Sequence, residues 1–356
     1  MNLRNEHTGP KNRLYHCGTT VREFLIIYGG YDCKEGVECN DLWIHNTING
    51  VWKQYPTPIE LKDTPVSSSI CAIGNVVYIF GGQCLQDNHR PTNSLISFDI
   101  NTATWKTVYP HTGGFDRGIP PPMYGNLIFS LNGSLYVLEG IHGLEKLNAL
   151  YKFYLRTSTW SLVEQKGRKP LFVVGIFGTV FNNQLYCFGS SLPESDRFRD
   201  VSIFDFSTNT WTSRATTSKC QRYPSDRSNE SFAFYSKFGY MSGGESLSEL
   251  YSDIWKIDLE SLEWSKMDYT LKKAVCDHYM AVIDECYLYS YGGFDTNLNY
   301  SNSLERIILR PPTLYRLCLQ SICRSPNIRI YRQSLPPSIM DELNLNDDEP
   351  SIDGQN

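Results

Sequence analysis

No stretch of the sequence approaches the roughly 20 apolar residues that a helix needs to cross a bilayer, so no membrane helix is expected. Met1 to Arg13 is polar and lacks the apolar core of a secretory signal, which makes the cytoplasm the expected compartment, with the nucleus also open. An excess of positive charge is missing too. The 33 Lys and Arg are outnumbered by 38 Asp and Glu, a net charge of −5. Nothing global then draws the chain to nucleic acid or to an anionic membrane, and neither is expected as a partner. There is no CxxC pair. The eleven cysteines, Cys17, Cys33, Cys39, Cys71, Cys84, Cys187 and Cys318 among them, are scattered and read as small buried hydrophobes, with no metal site. HExxH, GxSxG, a P-loop and a GxGxxG in a strand–helix context are absent, so no catalytic residue is assigned and no cofactor is expected. Long alanine-rich or Glu/Lys-rich helical stretches are also wanting. What is present is 41% hydrophobic and 13% aromatic residues, including 23 Tyr and 17 Phe, enough for a large all-β core.

A repeat dominates the rest. An apolar run ending in a small-residue pair occurs at Ile26-Ile27-Tyr28-Gly29-Gly30, Tyr78-Ile79-Phe80-Gly81-Gly82, Tyr136-Val137-Leu138-Glu139-Gly140, Tyr186-Cys187-Phe188-Gly189-Ser190, Tyr240-Met241-Ser242-Gly243-Gly244 and Tyr289-Ser290-Tyr291-Gly292-Gly293. The period is about 50 residues. In phase with it, a tryptophan follows each of the first five pairs, at Trp52, Trp105, Trp160, Trp211 and Trp264. Between the two marks lie strands such as Asp41-Leu42-Trp43-Ile44 and Asp253-Ile254-Trp255-Lys256, then a polar turn, a hairpin signal. An inner strand buried on both faces reads as continuous apolar residues, and the glycines after it allow close backbone approach. The tryptophan then fills the gap between neighbouring sheets.

These marks resemble kelch repeats over about residues 13 to 309 and imply an all-β, six-bladed kelch β-propeller. Glu139 and Ser190 stand where other repeats have glycine, so those turns are expected to be atypical. The sixth repeat lacks a tryptophan strand after Leu304 to Leu309, and N-terminal residues are expected to supply it and close the ring. His16 and His278 open the first and sixth repeats, where a structural hydrogen bond inside the blade is expected.

The expected organisation is a propeller over 1–309, a helical segment over 310–343 and an acidic, disordered tail over 344–356. Arg310-Pro311-Pro312 ends the last strand, and the prolines read as the first turn of a helix that stops at Ser325-Pro326. Leu314, Leu317, Cys318 and Ile322 share one face of it. A second short helix is expected from Leu335-Pro336-Pro337, with Ile339 and Leu343 one turn apart. From periodicity alone, both helices would simply pack on the propeller. The residue order Thr313-Leu314-x-x-x-Cys318-x-x-x-Ile322, however, resembles the elongin-binding box of ubiquitin-ligase receptors, and Leu335-Pro336-x-x-Ile339-x-x-x-Leu343 resembles the cullin-2 box.

Together the motifs are similar to those of kelch-repeat substrate receptors of cullin-2 ligases. The resemblance implies partners: elongin C and elongin B, cullin-2 with its RING subunit, and substrate proteins recognised by their C-terminal peptides, often ending in glycine. In related receptors of diglycine tails, arginines follow the turn of one blade and a serine opens the next. The matching region here offers Arg197, Arg199, Arg227 and Ser228, with Tyr124, Phe198 and Tyr223 as aromatic walls. A carboxylate reader needs such a guanidinium fork in a concave site. Against this, loop arginines commonly form inconsequential ion pairs, and the aromatics commonly belong to blade packing. The other reading is a kelch scaffold that binds actin or a signalling protein, with no ligase attached.

Overall fold

The computed structural model describes residues 9–343, apart from 62–65, 86, 114–115, 117, 143–144, 191–196, 220, 298 and 326–333. The expected acidic tail over 344–356 lies outside the described residues.

Alternating turn and apolar segments fold into six antiparallel sheets arranged as a propeller. Blade 1 runs Cys17–Val21, Phe24–Tyr28, Asp41–Asn46 and Trp52–Pro56 from channel to rim. The same order recurs in blade 2 from Ser69–Ile73 and in blade 3 from Leu127–Leu131. Blades 4 and 5, starting at Phe172–Phe181 and Ser228–Tyr235, each gain a short parallel fifth strand on the rim, Lys166–Gly167 and Thr217–Ser218. The apolar glycine-ended strand is second from the channel, not innermost. Its backbone is paired on both sides, and both its faces are covered by neighbouring blades, so Leu25, Ile26, Ile27 and Tyr28 are all fully buried. The strand before it forms the channel wall and is less deeply buried: in blade 1 Cys17, Gly18, Thr19 and Thr20 are half-buried and only Val21 is buried.

Each tryptophan leans on the preceding blade, as expected of a gap filler. Trp105 lies 6.0 Å from Tyr28, Trp160 lies 5.4 Å from Phe80, and Trp264 lies 6.2 Å from Phe188. Trp264 is fully buried and its indole N–H donates to the Phe198 carbonyl at 2.9 Å, which removes the cost of burying that donor. Glu139 keeps the left-handed backbone of the glycines it replaces, at φ 59°, a conformation a side chain adopts only at a cost on the order of 1–2 kcal/mol.

Blade 6 departs from expectation. It has three strands, Cys276–Ile283, Tyr287–Phe294 and Leu304–Ile308, and among the described residues no N-terminal segment adds a fourth. Pro10 instead accepts side-chain hydrogen bonds from Tyr291 and Asn302 at 3.3 Å each. His278 also differs from its expected role. Its ring is buried beside Gly243 of the preceding blade, neither nitrogen meets a partner among the described residues, and burial pushes its pKa down to about 3.

After blade 6 comes helix α1, Leu314–Arg324, then α2, Pro337–Glu342. The prolines before α1 lie ahead of its first turn. Thr313 is the cap, in extended backbone, and its hydroxyl accepts from the Arg316 N–H at 3.2 Å, satisfying one of the free donors of the helix start. Pro337 does occupy the first position of α2.

Candidate functional site

The blade order gives the propeller two unlike ends. Tight hairpin turns, such as those around Glu23, Thr47 and Asp284, cluster at one; the longer second-to-third-strand and blade-to-blade connections cluster at the other. Between them runs an open channel of about 620 Å³ walled by the innermost strands, with Thr19, Ser68, Ser130, Thr179 and Ser231 among its polar lining.

The four residues expected to read a carboxylate all sit at the long-loop end, in the connections around blades 4 and 5, but their side chains diverge. Arg227 is turned inward. Its guanidinium is buried, donates to Asp253 Oδ1 at 2.6 Å and to the Gly243 carbonyl at 3.2 Å, and lies 3.7 Å from the Tyr251 ring centroid. Burial would raise the Asp253 pKa, but the Arg227 hydrogen bond and charge outweigh that and hold it below the usual range. Arg13 makes the same contacts in blade 1, with Asp41 Oδ1 at 2.7 Å and the Gly29 carbonyl at 3.0 Å. Arg227 is thus a repeat-specific clamp inside the fold and does not face the channel mouth.

Arg197 is mostly buried and forms an ion pair with Glu230 at 2.8 Å, while also donating to the Arg227 carbonyl. Glu230 has its pKa raised by burial, with the charges of Arg197 and Arg227 opposing that shift. Arg199 is exposed and stacks over Tyr223 at 4.2 Å, so of the three guanidiniums it is the one that meets water most fully. Ser228 begins the innermost strand of blade 5 and is half-buried. Among the expected aromatic walls, Phe198 belongs to the core and Tyr223 is fixed by a hydrogen bond to the Thr216 carbonyl at 3.2 Å. Tyr124 is half-buried and bridges to Ile141. Glu230 was not foreseen from sequence.

At the tight-turn end, α1 lies across blades 6 and 1 with an inverted amphipathic face. Arg316, Leu319 and Gln320 are buried against the propeller. Leu314 is 77% exposed, Leu317 is 47% exposed and Cys318 is exposed, so three of the four residues of the expected elongin face project outward. Ile322 turns partly inward. It packs with Leu335 and Ile339 against a cluster of Ile48, Leu319 and Leu343. Leu343 is fully buried there, and Pro336 is exposed.

A model described as the KLHDC2/KLHL20/DRC7 kelch-repeats domain matches residues 1–140 and 125–307. The chain belongs to the kelch-repeat family. It is 25% identical over 349 residues to kelch domain-containing protein 10 of Homo sapiens, covering 90% of this chain and 76% of that protein. The Xenopus tropicalis counterpart is 23% identical over 374 residues, covering 96% and 88% of the two chains. Kelch domain-containing protein 3 of Rattus norvegicus is 27% identical over 287 residues, covering 73% and 71%. The fold is of a kind used for binding other proteins, and this kelch chain is related to those proteins across most of its length. Among the described residues, no helix is long and apolar enough to cross a membrane.

Proposed function

We propose that this kelch protein is the substrate-recognition subunit of a cullin-2/elongin B/C ubiquitin ligase. In this reading α1 holds elongin C, the α2 region meets cullin-2, and the long-loop end of the propeller receives the C-terminal peptide of the protein to be modified. The chain itself makes no bond. It raises the effective concentration of substrate lysines beside the ubiquitin donor.

One observation carries the reading. Helix α1 turns Leu314, Leu317 and Cys318 to solvent while it buries Arg316 and Gln320 beside Leu319 against the propeller. A helix whose only task was to pack on its own domain would bury its apolar stripe, because each leucine left in water forgoes about 1.5–3 kcal/mol of transfer free energy. An exposed ridge of this kind suits a groove-lined partner.

The test is capture of purified elongin B/C by the wild-type chain and by a Leu314→Ala, Cys318→Ala double variant. Loss of at least about tenfold in affinity is expected, since two apolar anchors are removed at roughly 1 kcal/mol or more each. Undiminished capture would remove the ligase reading and leave a kelch scaffold. For the cullin arm, Leu343 is unsuitable because it is sealed inside. Pro336→Ala with Ile339→Ala is the variant expected to weaken cullin-2 while sparing elongin.

A further inference from the structure

Five of the six seams between blades are crossed by the polypeptide itself; the seam between blade 6 and blade 1 is not, among the described residues. It is joined instead at three levels. At the long-loop end, Tyr291 and Asn302 of blade 6 hold the Pro10 carbonyl. Midway, Trp52 lies 5.8 Å from Tyr291, and Gly18 is so close to Tyr279 that an added Cβ would come within 2.5 Å of its ring. Towards the tight-turn end Leu25 of blade 1 packs with Ile283, Cys286 and Tyr287 of blade 6, and above that apolar contact a third party makes the polar link. Arg316 of α1 donates to Asp284 Oδ2 in the blade 6 turn and to Thr47 Oγ1 in the blade 1 turn, at 2.7 Å each. Its side chain is only 4% exposed. Asn46 and Asn49 of blade 1 then donate to the carbonyls of Glu342 and Leu343, at 2.9 and 3.0 Å, which fastens α2 to the same corner.

We propose that α1 is the latch of the ring, with Arg316 as the positioning residue that pins the first blade to the last. A surface helix has no need of a buried guanidinium, which is costly to desolvate and whose two terminal nitrogens find acceptors here because two different blades each offer an oxygen. Thr47 completes the arrangement by donating its own hydroxyl proton to the Glu23 carbonyl at 2.6 Å, which leaves its lone pairs for Arg316. The pin therefore closes the ring and fixes the outward direction of the Leu314 ridge in one act. Only the second half of that statement rests on the proposed ligase role. Ring closure rests on the seam alone.

The experiment uses the full chain with Arg316→Met, which keeps the aliphatic stem, and separately the milder Thr47→Val with Asp284→Asn. Backbone hydrogen exchange is followed in Cys17–Val21 and Cys276–Ile283, which face each other at the seam, and in Leu127–Leu131 and Phe172–Phe181 at the opposite seam. Exchange at the blade 6/1 seam is expected to quicken by about tenfold in both variants, with the opposite seam unchanged. Uniform quickening everywhere, or none, overturns the latch. The Leu314→Ala, Cys318→Ala variant is expected to exchange like wild type at both seams. In reconstituted ligase, Arg316→Met should still capture elongin yet modify substrate more slowly. Absence of elongin capture by the wild type would sink the ligase role, while the exchange result would still decide the latch.

Discussion

Arg13 and Arg227 show one solution used twice. Each enters just before the innermost strand of its blade, reaches the carbonyl of a glycine and pairs with the aspartate that opens the third strand. That aspartate also accepts from the tryptophan two residues on, Trp43 at 2.9 Å and Trp255 at 2.8 Å. The geometry is rigid because each guanidinium is held by a carboxylate and a glycine carbonyl at once, and a point charge on a flexible stem would not reproduce it. Arg227→Met is expected to leave Asp253 without its main counter-charge and to destabilise the fold by about 3 kcal/mol, read as a lower urea midpoint at unchanged slope. Arg227→Lys should recover only part of this. The repetition of Arg, Asp and Trp at matching places in the first and fifth repeats was the available signal that Arg227 serves the fold. A lone arginine beside a serine carries no such information.

Between elements, the corner where the blade 1 turn meets α1 and α2 is crowded with carboxylates. Glu23 has its pKa pushed up to about 7, chiefly by burial, with Glu342 and Asp284 adding to it and Arg22 opposing. In the unfolded chain the same group titrates near 4.5. The folded state thus binds the extra proton, so its stability is full below the unfolded value and falls as the pH climbs from about 4.5 through about 7. Glu23→Gln should abolish that fall. Thermal unfolding is expected to match wild type in mild acid and to exceed it at about pH 8, by at most on the order of 3 kcal/mol. At this scale the sequence was informative about which elements exist and silent about which way they face. The strands declared themselves because burial on both sides forces unbroken apolar runs, as in Phe24–Tyr28. The order Leu314, Cys318, Ile322 was equally plain. What could not be read was that Arg316 and Gln320 would form the inner side of α1, since their partners Asp284, Thr47 and Tyr287 lie in remote turns. Arg197, Arg199 and Arg227 were likewise indistinguishable along the chain, because a long side chain selects its partner only once Glu230, Tyr223 and Asp253 are brought near.

For the molecule as a whole, the proposed substrate end and the proposed ligase end lie at opposite mouths of one channel. In that reading Arg199, the most exposed of the three guanidiniums and stacked over Tyr223, is the one a terminal carboxylate would meet first. Amidating the C-terminus of a bound peptide is expected to weaken it by at least about tenfold, the scale of a charge-assisted hydrogen bond, as measured by fluorescence anisotropy. Equal binding of acid and amide would mean that the propeller reads an internal motif. The tryptophan joints carry a further consequence. Since each rim tryptophan of blades 1 to 5 rests on the blade behind it, the joints behind those five blades follow one rule, which the tryptophan-less blade 6 does not share, and excising or duplicating one of blades 2 to 4 would recreate compatible joints on both sides. Recombination at the blade-to-blade connections is therefore a short genetic path from this ring to one with a different number of blades.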